Sequence, residues 1–266
     1  MNNVRALLKE DLDRIEHNLK NLFPNENEVF EELNNFINGA SKKIRSTVSL
    51  LYLKANNIEI SEDIITLLSS GELIHNASLL HDDVIDNSDT RRSEKALHKK
   101  YNEKIAILSG DFLLSLVVEN LLKIKNDNIL QDFISAAQKM SKAEIEQYLN
   151  RGSDIDKETY INIISGKTAS LFEVILKSSA ILANIDEKKA LKFGNLFGKL
   201  FQINNDLKFD SQENDKANNL KTIVNILGIE KTKILKDNYK EELRGILSNF
   251  PENEYRSVLE NLVNKL

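Results

Sequence analysis

The sequence predicts an all-α fold, and three observations carry that prediction. Apolar residues recur three and four apart along nearly the whole chain, the spacing that gathers them on one helix face. Only two prolines occur, Pro24 and Pro251, both near the ends, so the interior lacks the commonest helix breaker. Short clusters of Asn, Asp, Ser and Gly interrupt the periodic runs where caps and connections belong.

Helices are accordingly predicted at 4–20, 26–38, 42–56, 61–87, 96–124, 128–149, 157–183, 187–209, 219–227, 229–247 and 252–265. The first is charged and amphipathic. The segments 56–61, 125–128, 151–156 and 184–186 supply the capping and turn residues between later ones. The helix at 61–87 reads as core-facing, because Leu73, Ile74, Ala77, Leu79 and Leu80 form an apolar stripe.

With 266 residues, 41% of them hydrophobic, and no internal repeat, residues 1–266 are read as one domain able to bury a sizeable core. There is no cysteine, which excludes disulfides, thiolate metal sites and a cysteine nucleophile and fits a reducing compartment. The first residues lack the apolar core of a secretory leader, and no apolar run is read as approaching the roughly 18 residues needed to cross a bilayer. The expectation is a soluble, cytoplasmic protein with no transmembrane segment. A formal charge of -5 argues against nucleic acid as a partner, so any anion site is local.

The segment from His81 to Arg92 is the most informative. Asp82 and Asp86 sit one turn apart on a shared helix face, Asp83 lies beside them, and Arg91 and Arg92 follow. Crowded carboxylates repel, and a hard cation such as Mg2+, which takes oxygen ligands and leaves room for a phosphate, relieves that repulsion. Acids, metal and guanidinium forks together describe a diphosphate site. Because the acids cap a buried apolar stripe, the substrate is expected to be greasy with a charged head. His75 lies about two turns before Asp82, on the same face.

These motifs, in this order, resemble those of the trans-isoprenyl diphosphate synthases, the polyprenyl synthetase family. DDxxD followed by two arginines matches Asp82, Asp83, Asp86, Arg91 and Arg92; a GKRxRP-like segment keeps Lys42, Lys43 and Arg45, with Ser41 and Ser46 in place of Gly and Pro. GDF is matched by Gly110, Asp111 and Phe112, KT by Lys167 and Thr168, and FQ by Phe201 and Gln202. The resemblance implies a single-domain helical bundle around a central prenyl-binding cavity, the type I isoprenoid synthase fold, acting as a homodimer. It also implies that an allylic diphosphate is ionised with Mg2+ and joined to isopentenyl diphosphate. Lys42, Lys43, Arg45, His75 and Arg92 would then bind isopentenyl diphosphate. Arg91 and Lys167 would hold the allylic diphosphate, whose oxygens Mg2+ bridges to Asp82, Asp83 and Asp86, while Thr168 and Gln202 present oxygen dipoles.

The second metal motif departs from the family's FQxxDDxxD. Asn205 stands at its first acidic position and Phe209 at its last, leaving Asp206 in register and Asp210 as a shifted partner. Metal ligation by Asn205, Asp206 and Asp210 is therefore expected to be weak. Asn205, Phe209 and Glu213 also take the spacing of a class I terpene cyclase motif, although Phe209 cannot ligate. A non-catalytic regulatory subunit of a heteromeric synthase is the other alternative. Ala77 and Ser78, at the position where the family sets chain length, are small, as are Ser69, Ser70 and Gly71 below them. The expectation is a product of about twenty carbons or more in an aliphatic pocket.

Overall fold

The computed structural model describes residues 2–20, 22, 27–39, 41, 43–208 and 218–266. Lys42, Phe209, Asp210 and Glu213 thus lie outside the described residues. Among the described residues the fold is all-α apart from one minute hairpin. α1 (Asn2–Leu7) and α2 (Lys9–Lys20) divide at Leu8 what the periodicity reads as one helix, because apolar spacing runs on through the break. α3 (Glu28–Asn38) starts under Asn27, whose side chain accepts from the Phe30 amide at 3.2 Å. α4 (Ile44–Ala55) is buried along most of its length.

α5 (Glu62–Ile85) is capped by Ser61, and Glu62 and Asp63 in its first turn complement the positive end of the helix dipole. It ends at Asp86. β1 (Thr90–Arg91) and β2 (Glu94–Lys95) then pair in antiparallel fashion. Arg92 and Ser93 between them take φ of 55° and 69°, the left-handed pair that a tight two-residue hairpin turn requires. Strands this short leave no alternating pattern to read. α6 (Leu97–Lys100) and α7 (Glu103–Lys123) occupy the helix predicted at 96–124, separated at Asn102, which caps α7 through the Ile105 amide at 3.0 Å.

α8 (Asp127–Leu149) and α9 (Lys157–Ile164) follow, and a π turn at Ser165–Ala169 leads into α10 (Ser170–Leu182). α11 (Glu187–Asp206), α12 (Ile223–Leu227), α13 (Ile229–Leu247) and α14 (Glu254–Lys265) complete the chain. Thr222 and Asn225 form a reciprocal capping box at the start of α12.

The helices gather into two compact units, residues 1–50 with 60–130 and residues 51–59 with 131–266. In the first, α5 packs on α7 and on α2. In the second, α10 and α11 form the main helix pair, and Tyr52 sets its ring 5.2 Å from Phe193 and 5.0 Å from Phe250. Among the described residues α7 is long and apolar enough to cross a membrane by length and composition, despite Asp111 and Glu119. Its apolar residues split between a face packed inward, with Ala106, Leu113, Val117 and Leu121 buried, and an outward face that carries Ile107, Leu108, Val118 and Leu122.

Candidate active site

Within the first unit, the end of α5, the hairpin after it and the start of α4 bring most of the predicted anion-binding residues together. Asp83 is buried. Its Oδ1 accepts from both Nε (2.8 Å) and Nη2 of Arg91, so the hairpin's first strand delivers a guanidinium fork onto the acid cluster. Its Oδ2 is buried without a hydrogen-bond partner. A carboxylate oxygen with unused lone pairs in a buried position suits a hard cation better than it suits a resting core. Asp82 and Asp86 flank it half-buried, and the Asp86 amide closes the helix on the Asp82 carbonyl at 2.8 Å. Among the described residues no three His, Asp or Glu side chains converge as a ready-made cage, since Asp83 turns onto Arg91. The donor set nevertheless fits Mg2+: three adjacent carboxylates, one of which keeps an unengaged oxygen.

The left-handed turn at Arg92 sends its side chain back toward α3 and α5. Its Nη1 donates to the Phe36 carbonyl at 2.8 Å, its Nη2 to Asn76 Oδ1 at 3.1 Å, and its guanidinium lies 5.3 Å from the Phe36 ring centre. Burial lowers the Arg92 pKa, opposed by Glu72. Arg45 is buried on α4, and burial pushes its pKa down to about 10 even though Glu72 nearby works to raise it. His75 sits in the field of both and of Arg91. Burial first, then Arg45, Arg92 and Arg91, hold its imidazole well below the usual histidine range, so it is neutral at pH 7. Lys43, also buried, gives its ammonium to Glu16 Oε1 at 3.3 Å. Burial tends to raise the Glu16 carboxyl, but Lys43 and Arg5 together keep it below the ordinary value.

Two residues that the motif spacing does not reveal complete this cluster. Glu72 is only 2% exposed, and its Oε1 accepts from Ser46 Oγ at 2.6 Å. Asn76, one turn on, links the Glu72 carbonyl (2.7 Å) to Arg92. The available signal was a lone charge, three residues before His75, inside an otherwise apolar stretch of α5.

The GDF segment lies on α7 beside the same helix. A Cβ at Gly110 would stand 2.1 Å from His81 Nε2, so glycine lets the imidazole lie 3.2 Å from the Ile107 carbonyl and 3.6 Å from Asp111. Ala77, predicted to influence chain length, is buried on α5, and Ser78 is half-buried with its hydroxyl on the His75 carbonyl at 2.9 Å.

The second unit arranges its predicted residues in a line. Lys167 and Thr168 both sit on the π turn, a local widening that often marks functional positions. Lys167 pairs with Glu144 and donates to Gln147 Oε1 at 2.8 Å. Thr168 donates to Gln202 Oε1 at 3.2 Å, and Gln202 Nε2 donates to Asp206 Oδ1 at 2.9 Å. Asp206 Oδ2 accepts from the Tyr160 hydroxyl and from the Ile223 amide at 3.1 Å. Burial raises the Asp206 pKa against the pull of those three donors. Both its oxygens are thus engaged in joining α9, α11 and α12. Asn205 accepts from Lys208 at 2.7 Å.

Comparison with known proteins identifies the family and the fold. The sequence profile of the family described as polyprenyl synthetase matches residues 26–248. The chain is similar to octaprenyl diphosphate synthase of Escherichia coli (strain K12), at 32% identity over 64% of this chain and 54% of that protein. It therefore spans about half the length of that curated relative. Among solved structures it is similar to geranyltranstransferase of Thermotoga maritima, at 29% identity, a TM-score of 0.83, and coverage of 99% of this chain and 97% of that one. Heptaprenyl diphosphate synthase of Staphylococcus aureus shares the fold, with a TM-score of 0.89 at 22% identity over 97% of each chain.

Proposed function

Because the chain belongs to the polyprenyl synthetase family, we propose that it is a trans-prenyltransferase that joins an allylic diphosphate to isopentenyl diphosphate. The observation that carries this reading is the gathering of three guanidiniums, Arg45, Arg91 and Arg92, about His75, with Asp83 in the same cluster. Asp82, Asp83 and Asp86 would hold Mg2+, which when bound supplies positive charge to a departing pyrophosphate. Arg45 and Arg92 offer fixed cationic donors to the diphosphate that is retained, and His75, kept neutral, offers a hydrogen bond without adding charge. The allylic carbon–oxygen bond breaks with its electron pair leaving on pyrophosphate. The double bond of isopentenyl diphosphate then attacks the resulting cation, and the proton lost in that step goes to pyrophosphate. No side-chain nucleophile is needed, consistent with a chain that has no cysteine.

A product of about twenty carbons or more goes with the small buried residues of α5, Ser69, Ser70, Gly71 and Ala77, none of which carries a bulky side chain that would stop a growing apolar chain. The name of the octaprenyl relative supports the same direction. The reading takes residues 1–266 as one catalytic domain, working as a homodimer in the cytoplasm.

The test is incubation with isopentenyl diphosphate, each allylic primer in turn and Mg2+, followed by mass analysis of the dephosphorylated lipids. Elongated prenols are expected, and Asp82→Asn should lower the rate by about 100-fold or more. Absence of any elongated lipid with every primer would overturn the reading. Hydrocarbon released from farnesyl diphosphate alone would favour a cyclase.

A further inference from the structure

We infer that Glu72 is a positioning residue: through Ser46 it fixes the first turn of α4, and so holds the Arg45 guanidinium in place for the diphosphate of isopentenyl diphosphate. This inference rests on the condensing activity proposed above. Ser46 is the third residue of α4, so its amide is one of those that a helix leaves without an intrahelical acceptor. Lys43, just before the helix, has φ of 39° instead of the extended conformation of an ordinary capping residue. The missing acceptor comes from another helix. Glu72 Oε1 takes the Ser46 hydroxyl at 2.6 Å and the Ser46 amide at 3.4 Å, both fully out of solvent, and places a negative charge at the positive end of α4.

The link belongs to this chain's own sequence. The family segment that Lys42, Lys43 and Arg45 resemble carries proline where this chain has Ser46, and proline has neither the amide hydrogen nor the hydroxyl that Glu72 accepts. Glu72 also lies close enough to act on the charge of both Arg45 and Arg92. Asn76 extends the arrangement, bonding to the Glu72 carbonyl and to Arg92. A carboxylate amid cations can do one of two opposite things to anion binding. If it only offsets charge, removing it tightens the anion; if it holds the guanidinium in place, removing it loosens the anion.

Steady-state kinetics of Glu72→Ala, Ser46→Ala and the double variant separate these, since alanine removes both the acceptor oxygen and the charge. For Glu72→Ala we expect KM for isopentenyl diphosphate to rise about tenfold, while KM for the allylic primer and kcat change by less than about twofold. Ser46→Ala should raise the same KM about threefold, and the double variant should be no worse than Glu72→Ala, because both remove one link. A KM that is unchanged or lower, or kinetic constants that move together, overturns the assignment. If Glu72→Ala does not fold, as circular dichroism would show, the smaller Ser46→Ala change carries the test. Calorimetric titration with pyrophosphate, which needs no turnover, keeps the two readings apart. Wild-type protein that binds pyrophosphate but forms no product, with binding weakened in Glu72→Ala, sinks the condensing activity and supports the positioning role. Product formation with an unaltered KM in the variants sinks the positioning role alone, and wild-type protein that binds neither pyrophosphate nor isopentenyl diphosphate sinks both.

Discussion

His75 shows how charge placement decides what a single residue can do. Burial and the guanidiniums of Arg45, Arg92 and Arg91 depress its pKa, so the folded protein resists protonating it while the unfolded chain does not. The stability this group contributes is complete above its unfolded pKa of about 6.5 and is lost as pH falls below that value. Urea midpoints measured at pH 7.5 and 5.5 should therefore fall more for wild type than for His75→Gln. Equal losses would mean that His75 does not titrate against that field. Asp206 makes a different point at the same scale. Its position in the FQxxD register suggested a metal ligand, whereas its two oxygens accept from Tyr160, Gln202 and the Ile223 amide. Recruiting it to Mg2+ means giving up some of those bonds, so we expect a high Mg2+ requirement, and activity that saturates at low micromolar Mg2+ would count against this. The pairing of Asp83 with Arg91 was legible because the two lie eight residues apart in one motif, whereas Arg92 reaches partners 16 and 56 residues away, Asn76 and Phe36. Nor were the links of Glu72 and Asp206 legible, because Ser46 lies 26 residues from one and Tyr160 lies 46 residues from the other.

Helix order was readable from apolar spacing, but not where a helix changes its winding. The pattern over 157–183 predicts one uninterrupted helix, and the π turn at Ser165–Ala169 interrupts it by a change of hydrogen-bond register that apolar periodicity barely senses. The turn and the start of α10 pack against α11 through two glycines four residues apart. A Cβ at Gly194 would lie 2.7 Å from the Phe172 carbonyl oxygen, and one at Gly198 would lie 2.5 Å from Ala169 Cα. The obstacles are backbone atoms, which cannot swing aside as a flexible side chain can. Gly198→Ala should therefore destabilise the protein by about 1–3 kcal/mol through overpacking, in spite of the better helix propensity of alanine. Because Thr168 sits beside Ala169 and bonds to Gln202, the same variant should lose activity at temperatures where it is still folded. Thermal melts and assays below the transition check both, and an unchanged melting temperature would show that α10 and α11 can separate at little cost.

At the scale of the whole molecule, the proposal of a homodimer turns on the outward face of α7. Ile107, Leu108, Val118 and Leu122 are 43%, 61%, 42% and 57% exposed, and at the helical repeat they fall within an arc of about 100°. Asp111 and Ser115 share that arc, so the stripe is interrupted by polar groups, as an interface facing water when apart would be. A row of large apolar side chains on a long helix is costly to leave wet and marks a contact surface. A twofold dimer would set the stripe of one copy against that of the other, burying each residue twice over by symmetry. Replacing Leu108 and Leu122 together by Asp places two charges on each side of such a contact. Sedimentation equilibrium should then show a dimeric wild type and a monomeric double variant. The variant should keep its helical circular dichroism, since neither side chain belongs to the buried core. A wild type that is monomeric at micromolar concentration would overturn the dimer. A wild type that instead floats with phospholipid vesicles would assign the stripe to a membrane surface, the other solvent that α7, by length and composition, could enter.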